Sequence, residues 1–450
     1  MDKSRGGLHE KYEKMTTAPV EKLILSLAVP TVITMLVSAF YNIVDTYFVG
    51  SLGTSETAGV GVAFPLMTVI QAIGFFFGQG AGNYVARRLG AMDTESASRV
   101  AAVGLISSLA AGAVLGAVGL AFIEDLALML GATPTILPHA EGYLFYILLA
   151  APFMTGAIVM NNLLRFQGSA FYAMIGMTAG VVLNIALDPI FIYVLGMGVP
   201  GAALATMISQ IVSFCLLFAG CSTRGNIRIR LGHFTPSPAV FGEIARGGIP
   251  SLCRQAIAGV AVICVNRLAG NYGDAAIAAL AIVMRVSWMA NSAMVGLGQG
   301  FQPVCGFNYG AKLYGRVKRG FWFCVKLTTV SMALVAVVVW VWAPEIIAVF
   351  RSDDAEVIAV GSLALRLHFS VSVLMGWVIM NNMMLQTMGK PVSASILALA
   401  RQGLFLLPIL FMLTRYFGLL GIQMSQPFAD IATFVLSIPL FVLATKEMKS

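Results

Sequence analysis

Stretches of roughly 20 apolar residues recur along the whole chain, and each is long enough to cross the ~30 Å hydrocarbon layer of a membrane. Charged residues make up only 11% of the 450 residues, and the mean hydropathy is +0.87. A soluble domain needs a more highly charged surface. Because lipid offers no hydrogen-bond partners, each span must satisfy its own backbone groups as a helix. The sequence therefore predicts an all-α membrane protein with about twelve transmembrane helices.

The predicted spans divide the chain into two halves of six. They lie near residues 22–48, 59–85, 99–122, 141–163, 171–195, 199–220, 240–268, 276–302, 320–343, 358–386, 392–412 and 418–445. The corresponding domains are an N-terminal segment (1–21), a first six-helix lobe (22–220), a linker (221–239), a second six-helix lobe (240–445) and a tail (446–450). The first 20 residues are polar and lack an apolar core, so they do not have the pattern of a cleaved signal peptide.

Basic residues are distributed unequally between alternate connections. One set of connections, which includes both termini and Arg165, holds nineteen Lys and Arg residues, whereas the opposite set holds only Arg351 and Arg415. Basic connections stay in the cytoplasm, so we expect a multi-pass protein of the cell's inner membrane with both termini cytoplasmic. The net charge of +8 therefore reflects orientation in the membrane, and no nucleic-acid partner is expected.

The second half of the sequence repeats the first at an offset of 220 residues. The Gly-Gln-Gly of residues 78–80 coincides with that of 298–300, the Met-Asn-Asn of 160–162 with that of 380–382, and Pro30 with Pro250. Because each half has an even number of spans, both halves enter the membrane from the same side and the repeat is parallel. Two parallel six-helix bundles favour alternating access by rocking about the seam between them, although parallel repeats also occur in channels.

Motifs for cofactor or nucleotide chemistry are missing from the sequence. No Gly-x-x-x-x-Gly-Lys-Ser/Thr loop is present, so ATP is not expected to drive the protein directly. The glycine-rich stretch 78–82 lies inside a span and is interpreted as a helix-packing surface. The six cysteines are scattered without metal-type spacing. We expect no cofactor and no enzymatic activity.

Acidic residues deep inside spans are the main candidates for function. Such residues cost roughly 2.5–3.5 kcal/mol on insertion scales and mark functional sites by default. Asn184 precedes Asp188 by one helical turn and shares its face. Pro189 clashes with the carbonyl of Ile185, which frees an oxygen, and hard oxygens suit a small cation. The acids well inside predicted spans are Asp45, Asp188 and Asp430.

Thr206 is expected at the same depth in the membrane as Asp188. Asp188 lies about 8–10 residues before the outer turn near 196–201 and Thr206 about 6–8 after it, so both lie roughly 10–15 Å below the outer surface. Asp45 also lies in the outer half of its span. The sequence predicts a proton site, or a Na⁺ site if Na⁺ is the coupling ion, formed by Asp45, Asn184, Asp188 and Thr206. The alternative is that these acids pair with buried arginines or cap kinked helices, but no Lys or Arg lies deep in the first six predicted spans to form such a pair.

The second half does not repeat this cluster. At the 220-residue offset, the four positions become Val265, Leu404, Pro408 and Gln426. Asp430 is the only acid available to pair with the basic residues there, and a structural pair with Arg401 is the favoured interpretation, with an anion contact or a gate left open. The sequence assigns no role to the other basic residues within or near these spans, which are Arg254, Arg285, Lys326, Arg366 and His368.

Aromatic, Met and Asn side chains on first-half helices are candidates for contact with cargo, because large or adaptable side chains suit varied ligands. Ordinary helix packing is the competing explanation for each of them. The candidates are Tyr41, Phe153, Met160, Asn161 and Met177.

The segments Val44-Asp45-Thr46, Asn184-Ile-Ala-Leu-Asp188-Pro189 and Gly201-Ala-Ala-Leu-Ala-Thr206 resemble the prokaryotic branch of the multidrug and toxic compound extrusion (MATE) family. The resemblance covers the full length, with the same number of spans and the same repeat. It implies two lobes flanking a central cavity, and an efflux pump that exchanges organic, often cationic, drugs or metabolites for Na⁺ or H⁺. It also implies that the cation site corresponds to the cluster in the first lobe. Gly259 stands where other members carry a seventh-span Glu, which argues against a second site.

Pro30 and Pro189 are the predicted bending points, since proline interrupts the helical hydrogen-bond ladder. A proton or Na⁺ would reduce repulsion between Asp45 and Asp188 and let the helices rearrange. An architectural role for Pro30 is the alternative, because Pro250 repeats it. We expect a monomer whose partners are membrane lipid and a small organic substrate.

Two other functions remain as alternatives. The first is a flippase for a lipid-linked precursor from the same wider superfamily, which the basic residues of the second half keep open. The second is an intramembrane aspartyl protease using Asp45 and Asp188. Such enzymes carry a Gly-x-Gly-Asp segment, whereas Gly270-Asn-Tyr-Gly273-Asp274 has a different spacing and lies in an outer loop.

Overall fold

Helices make up nearly all of the chain that a computed structural model describes, which comprises residues 2–223, 225–351 and 354–449 without the side chains of residues 2–6, 42, 43, 45–47, 54, 231 and 449. Twelve helices in these ranges are long and apolar enough to cross a membrane, so the predicted number of spans is confirmed.

Within the described residues, the first half contains seven α-helices after a short N-terminal one, and the second half contains nine. They are α1 (Asp2–Thr17), α2 (Val20–Gly50), α3 (Thr54–Gly90), α4 (Thr94–Ala121), α5 (Ile123–Met129), α6 (Leu137–Phe166), α7 (Ala170–Pro189), α8 (Val199–Cys221), α9 (Pro238–Ala269), α10 (Asp274–Gly310), α11 (Tyr314–Val341), α12 (Ala343–Phe350), α13 (Ala355–Ser372), α14 (Met375–Thr387), α15 (Pro391–Leu399), α16 (Leu406–Phe417) and α17 (Leu419–Lys446). Two π-helical segments, Ile190–Val194 and Ala400–Phe405, extend α7 and join α15 to α16.

Some helices differ from the predicted spans. α3 and α10 each have 37 residues and extend past the predicted ranges 59–85 and 276–302. The span predicted near 358–386 is instead two helices, α13 and α14, with a break at residues 373 and 374. Gly376, in the first turn of α14, lies so close to Thr328 of α11 that a Cβ atom would come within 2.4 Å of its hydroxyl oxygen. The start of α14 therefore packs closely on α11 through a residue without a side chain.

The backbone reproduces the 220-residue repeat at its turns. Gly198 and its repeat partner Gly418 have φ of 59° and 60°, and each precedes the last span of its half. Met92 and its partner Lys312, the non-glycine residues with positive φ in the described chain, both have φ of 60°. Left-handed backbone is unfavourable for a residue with a Cβ atom, so its recurrence at equivalent turns shows that the two halves share one fold.

The two halves meet along the end of the bundle that carries α1 and the turns after α3 and α10, which we call the basic face. The seam pairs α3 with α9, α2 with α10, and α3 with α10. A Cβ atom at Gly80 would lie 2.2 Å from the carbonyl oxygen of Ile244, and one at Gly300 would lie 2.5 Å from Cα of Ala28. Both glycines are ten residues from the ends of their helices at the basic face, or about 15 Å deep. The seam is thus closed from the basic face well into the bundle.

The tightest contact of the seam is a symmetric crossing of α3 and α10. A Cβ atom at Gly90 would lie 2.1 Å from the carbonyl oxygen of Phe307, and one at Gly310 would lie 2.0 Å from that of Arg87. These residues form two pairs of repeat partners, so the same contact is made twice about the local two-fold axis. Only glycine lets the two backbones approach this closely.

α1 lies across the basic face and is bonded to both halves. On one side, Lys11 Nζ donates hydrogen bonds to Ser169 Oγ (2.7 Å) and to Asn226 Oδ1 in the linker (2.5 Å). On the other, Asn308 Nδ2 donates to the carbonyl oxygen of Met15 at 3.1 Å. Burial lowers the pKa of Lys11 to about 8. The helix therefore straps the two halves together at this face.

Candidate functional site

Asn184 and Asp188 lie one turn apart on α7, as the spacing predicted, and their side chains are within reach of each other. Asn184 Nδ2 donates to Asp188 Oδ1 at 3.4 Å, and Asp188 has no exposed surface. Directly after Asp188, Pro189 ends the α-helix and the chain continues as the π-helical segment Ile190–Val194. Proline removes one backbone donor, and π-helical turns occur often at functional sites.

α8 adds Thr206 to this pair. Asn184 Nδ2 lies 3.5 Å from Thr206 Oγ1, and that hydroxyl donates to the carbonyl oxygen of Ala202 at 3.1 Å. The two helices approach closely because Gly180 leaves room for Ser213, whose Cβ would be 2.9 Å from an added methyl group. The structure thus brings together three of the four predicted site residues.

The cluster contains oxygen atoms suited to a small cation. Asn184 Oδ1 is buried and has no hydrogen-bond partner within the described residues, and the same is true of Ser209 Oγ, one turn along α8 from Thr206. A buried oxygen without a donor is unfavourable, so these atoms fit the oxygen-ligand preference of a hard cation. Asp188 supplies the carboxylate that a cation site of this kind also needs.

The side chain of Asp45, the fourth predicted member of the site, lies outside the described part of the structure. Its helix, α2, packs along α7. One turn after position 45, the carbonyl oxygen of Phe48 accepts a hydrogen bond from Tyr193 Oη at 3.3 Å. α2 and the chain that follows Asp188 are therefore neighbours at this height, and participation of Asp45 stays a prediction.

The five cargo candidates fall on the predicted helices, but their surroundings differ. Phe153 packs edge-on against Phe214 of α8, with ring centroids 5.8 Å apart. Asn161 Nδ2 donates to the carbonyl oxygen of Ala173, and Met177 Sδ lies 3.9 Å from the hydroxyl of a serine on α8. Tyr41 is partly buried. Met160 has no exposed surface because it packs in the main core, so it offers nothing to a cavity in this conformation.

The proline at position 30 does not interrupt its helix. α2 runs without a break from Val20 to Gly50, and Thr34 Oγ1 donates to the carbonyl oxygen of Pro30 at 2.9 Å. Thr31 Oγ1 reaches across the seam to the carbonyl oxygen of Gly296 at 2.7 Å. Pro30 thus lies where the first half touches the second, which suits either of the two roles predicted for it.

The second half carries an ion pair in place of the oxygen cluster. Arg401 binds Asp430 through two nitrogens, with Nε–Oδ1 at 2.8 Å and Nη2–Oδ2 at 3.4 Å. Gln426, the repeat partner of Thr206, donates to the same carboxylate at 2.7 Å. Asp430 has no exposed surface, and Arg401 is the second residue of the π-helical segment of this half. The favoured interpretation of these residues as a pair agrees with this geometry.

Sequence reasoning missed a buried arginine. Arg165 was counted with the basic connections, but α6 continues to Phe166 and Arg165 is only 2% exposed. Its Nη2 is bonded to Asn162 Oδ1, while Nε and Nη1 have no partner in the described chain. Gln79 Nε2 shares the same acceptor at 3.1 Å. The duplicated Met-Asn-Asn and Gly-Gln-Gly segments could have indicated these buried polar contacts, because Asn162 and Gln79 belong to them.

Twelve helices in two parallel repeats, with a buried oxygen cluster in one half, define the class of repeat-built membrane transporters. The MatE family model matches the chain twice, at residues 30–190 and 250–412, once in each half. The multidrug export protein MepA of Staphylococcus haemolyticus is 30% identical over 411 residues, which cover 91% of this chain and 90% of MepA.

Solved structures show the same architecture. One described as the outward-facing conformation of a multidrug resistance MATE family transporter of the MOP superfamily has a TM-score of 0.91 and 28% identity, covering 97% of this chain and 98% of its own. A MATE structure in a bent conformation has a TM-score of 0.90 and 28% identity, covering 98% of both chains. The protein belongs to the MATE family of membrane transporters.

Proposed function

We propose that the protein is an antiporter that exports organic, cationic drugs or metabolites in exchange for Na⁺ or H⁺. The observation that carries the proposal is the buried cluster of Asn184, Asp188 and Thr206, with Asn184 Oδ1 lacking a donor in the described chain. A small cation, or a proton on the carboxylate, supplies the missing partner. Export of drugs by the similar protein MepA supports the same general activity here.

The basic face is proposed to lie in the cytoplasm, with the protein in the cell membrane and both termini inside, because basic connections are retained there. The two halves touch along this face, so the conformation described is outward-facing. The high similarity to a transporter described as outward-facing supports this orientation. Cargo released from this state leaves the cell, and the opposite state must open the seam.

Ion binding is proposed to act on α7. This helix ends at Pro189, beside Asp188, and the π-helical turn that follows provides an element with a second arrangement available. Neutralising Asp188 lowers its repulsion toward Asp45, so the helices that carry them move together. That movement changes the first-half wall of the cavity and releases cargo. The bent conformation described for a similar structure supports bending, at Pro30 or at Pro189, as the coupling step.

The test is transport of a fluorescent organic cation in proteoliposomes, with Na⁺ and proton gradients imposed separately. We expect Asp188→Asn and Asp45→Asn to reduce gradient-driven transport to the level of protein-free liposomes. Asp125→Asn is the matched control, because Asp125 is exposed on α5 and should retain wild-type transport. Thr206→Val removes one oxygen ligand without changing the shape, so it should weaken Na⁺-driven transport roughly tenfold and leave proton-driven transport intact.

Wild-type transport by both Asp188→Asn and Asp45→Asn would exclude the cluster as the coupling site. An equal response to the two gradients in Thr206→Val would exclude Na⁺ coordination by this hydroxyl. Circular dichroism and size-exclusion chromatography of each variant establish that the fold is retained.

The second candidate function is a flippase for a lipid-linked precursor. The observation that favours it is the presence of arginines inside the second half, among them Arg254 and Arg401. Movement of a fluorescent polyprenyl-phosphate analogue between leaflets, without any gradient, would support this function against ion-coupled export.

A further inference from the structure

Arg254 lies on the inner wall of the second half, just beyond the closed part of the seam. Two turns before it on α9, Gly247 faces α3 so closely that an added Cβ would lie 2.9 Å from Cα of Gly80. Seven residues are nearly two full turns, so Arg254 points in the same direction as Gly247 and about 10 Å farther from the basic face. Arg254 is partly exposed. It therefore lies just beyond the closed part of the seam, on the side of α9 that faces the first half.

The guanidinium of Arg254 is oriented by neutral oxygens of the second half. Its Nη1 lies 3.5 Å from Asn382 Oδ1, and its Nη2 lies 3.5 Å from Ser251 Oγ. Both distances are at the upper limit for a hydrogen bond. None of the ion pairs formed by the described residues includes Arg254. A charge at this depth is costly unless it faces water or binds an anion.

The two neutral partners are themselves fixed, which preorganises the arginine. Asn382 Nδ2 donates to the carbonyl oxygen of Ala394 at 2.8 Å, and Gln386 Nε2 donates to Ser251 Oγ at 2.8 Å. Because both acceptors are held by other bonds, the guanidinium keeps its position without being neutralised. Planar, weakly hydrated guanidinium groups pair with carboxylates through two parallel hydrogen bonds.

The repeat gives Arg254 no counterpart in the first half, where its partner position is Thr34. The first half instead carries Asp188 in the oxygen cluster. The two halves thus differ in charge, with a buried carboxylate in the first and a partly exposed guanidinium in the second. Such polarity favours a molecule that has a positive end and a negative end.

We propose that Arg254, with Asn382 and Ser251, forms a subsite for the carboxylate of a zwitterionic cargo. The cationic end of such a cargo would face the first half. This inference rests on the proposed export function and assigns the residues that bind the negative end of a cargo molecule. The phosphate of an anionic lipid has the same chemistry, and the experiment separates the two sources.

The experiment compares tetramethylrhodamine, which has a free carboxylate, with its methyl ester, which is a simple cation. Binding is measured by fluorescence anisotropy with the purified full-length protein in phosphatidylcholine nanodiscs. In Arg254→Gln, we expect the carboxylate dye to bind roughly 10- to 100-fold more weakly and the ester to bind within a factor of about two of wild type. Arg254→Lys should restore part of the loss, since it keeps the charge but not the paired geometry.

Arg366→Gln is the matched control for net charge. The guanidinium of Arg366 donates to the carbonyl oxygen of Trp340 and lies over its ring, so it is directed at α11. This variant should bind both dyes as wild type does. Equal weakening of both dyes in Arg254→Gln, or no weakening of either, would overturn the proposal.

Nanodiscs with phosphatidylglycerol provide the arm for lipid. If anionic lipid weakens binding of the carboxylate dye to wild type but not to Arg254→Gln, the subsite is occupied by a lipid headgroup and the cargo proposal is wrong. An unchanged dye affinity supports cargo recognition. Because binding is measured without a gradient, the absence of ion-driven transport would overturn the proposed antiport and leave the result for Arg254 standing.

Discussion

Replacing Gly310 by alanine is expected to open the seam at the basic face. The new methyl group would lie 2.0 Å from the carbonyl oxygen of Arg87, and an alanine at Gly90 would lie 2.1 Å from that of Phe307. Both obstacles are backbone atoms, so no side chain can rotate away. A relaxed contact between carbon and oxygen is about 3.3 Å or longer, so the ends of α3 and α10 must separate by roughly 1.3 Å.

Overpacking of this kind costs about 1–3 kcal/mol. The cost applies only while the seam is closed, so it shifts the equilibrium toward the open seam by roughly 5- to 150-fold. The assay is the distance between spin labels at Glu95 and Gly315, which are exposed positions of α4 and α11, in a background without accessible native cysteines. We expect a larger population of long distances in Gly310→Ala than in wild type.

Gly90→Ala should produce the same shift, because its contact is the repeat partner of the first. Gly242→Ala is the control, since an added Cβ at this position of α9 meets no atom within 4 Å. A distance distribution in Gly310→Ala that matches that of Gly242→Ala would refute the argument that this crossing holds the seam closed. A shift in Gly310→Ala without one in Gly90→Ala would refute its symmetric form.

Two further predictions concern charges away from the seam. Burial holds the pKa of Lys11 at about 8, below its ordinary 10.5, so between these pH values the undocked α1 binds a proton that the docked helix does not. Docking of α1 therefore strengthens as pH rises from about 8. Over that range the thermal midpoint of wild type should increase relative to that of Lys11→Met. Asp430→Asn leaves the partly buried Arg401 without its charged partner and should lower the free energy of unfolding by about 1–3 kcal/mol in denaturant titrations. Na⁺ affinity should stay unchanged, and a large loss of Na⁺ binding would contradict a site confined to the first half.

The spans and the repeat were predictable from the sequence because both depend on local patterns. A hydrocarbon layer sets the length of each apolar stretch, and a gene duplication leaves a constant offset. Asn184 and Asp188 were predictable for the same reason, since a spacing of four on a helix fixes a shared face. The depth of Thr206 could be predicted because the turn between its span and that of Asp188 is short. The family resemblance then extended these inferences from the residues to the activity.

Other features depended on tertiary contacts that no local pattern contains. Arg165 was assigned to a connection because a basic residue near the end of a span suggests a loop, but α6 continues past it. The break between α13 and α14 lies beside the close packing of Gly376 on α11, and hydropathy registers neither feature. Met160 shares its segment with Asn161, yet it points into the core. Side-chain direction at a helix interface was therefore the least predictable quantity.

Positions that match between the two halves lie at the seam, whereas several positions that differ between them carry charge. Positions that keep their geometry in both halves, such as Gly90 and Gly310 at the crossing, lie where the halves touch. A rocking motion about a central axis needs matched contacts on both sides. A difference in residue type between the two halves at the seam would make these contacts unequal. Positions that diverged carry charge: Asp188 has a proline as its partner, and Arg254 has a threonine. Under the proposed antiport, an ion that binds the first half alone would change the balance between two otherwise equivalent bundles, and that difference would allow it to drive the motion.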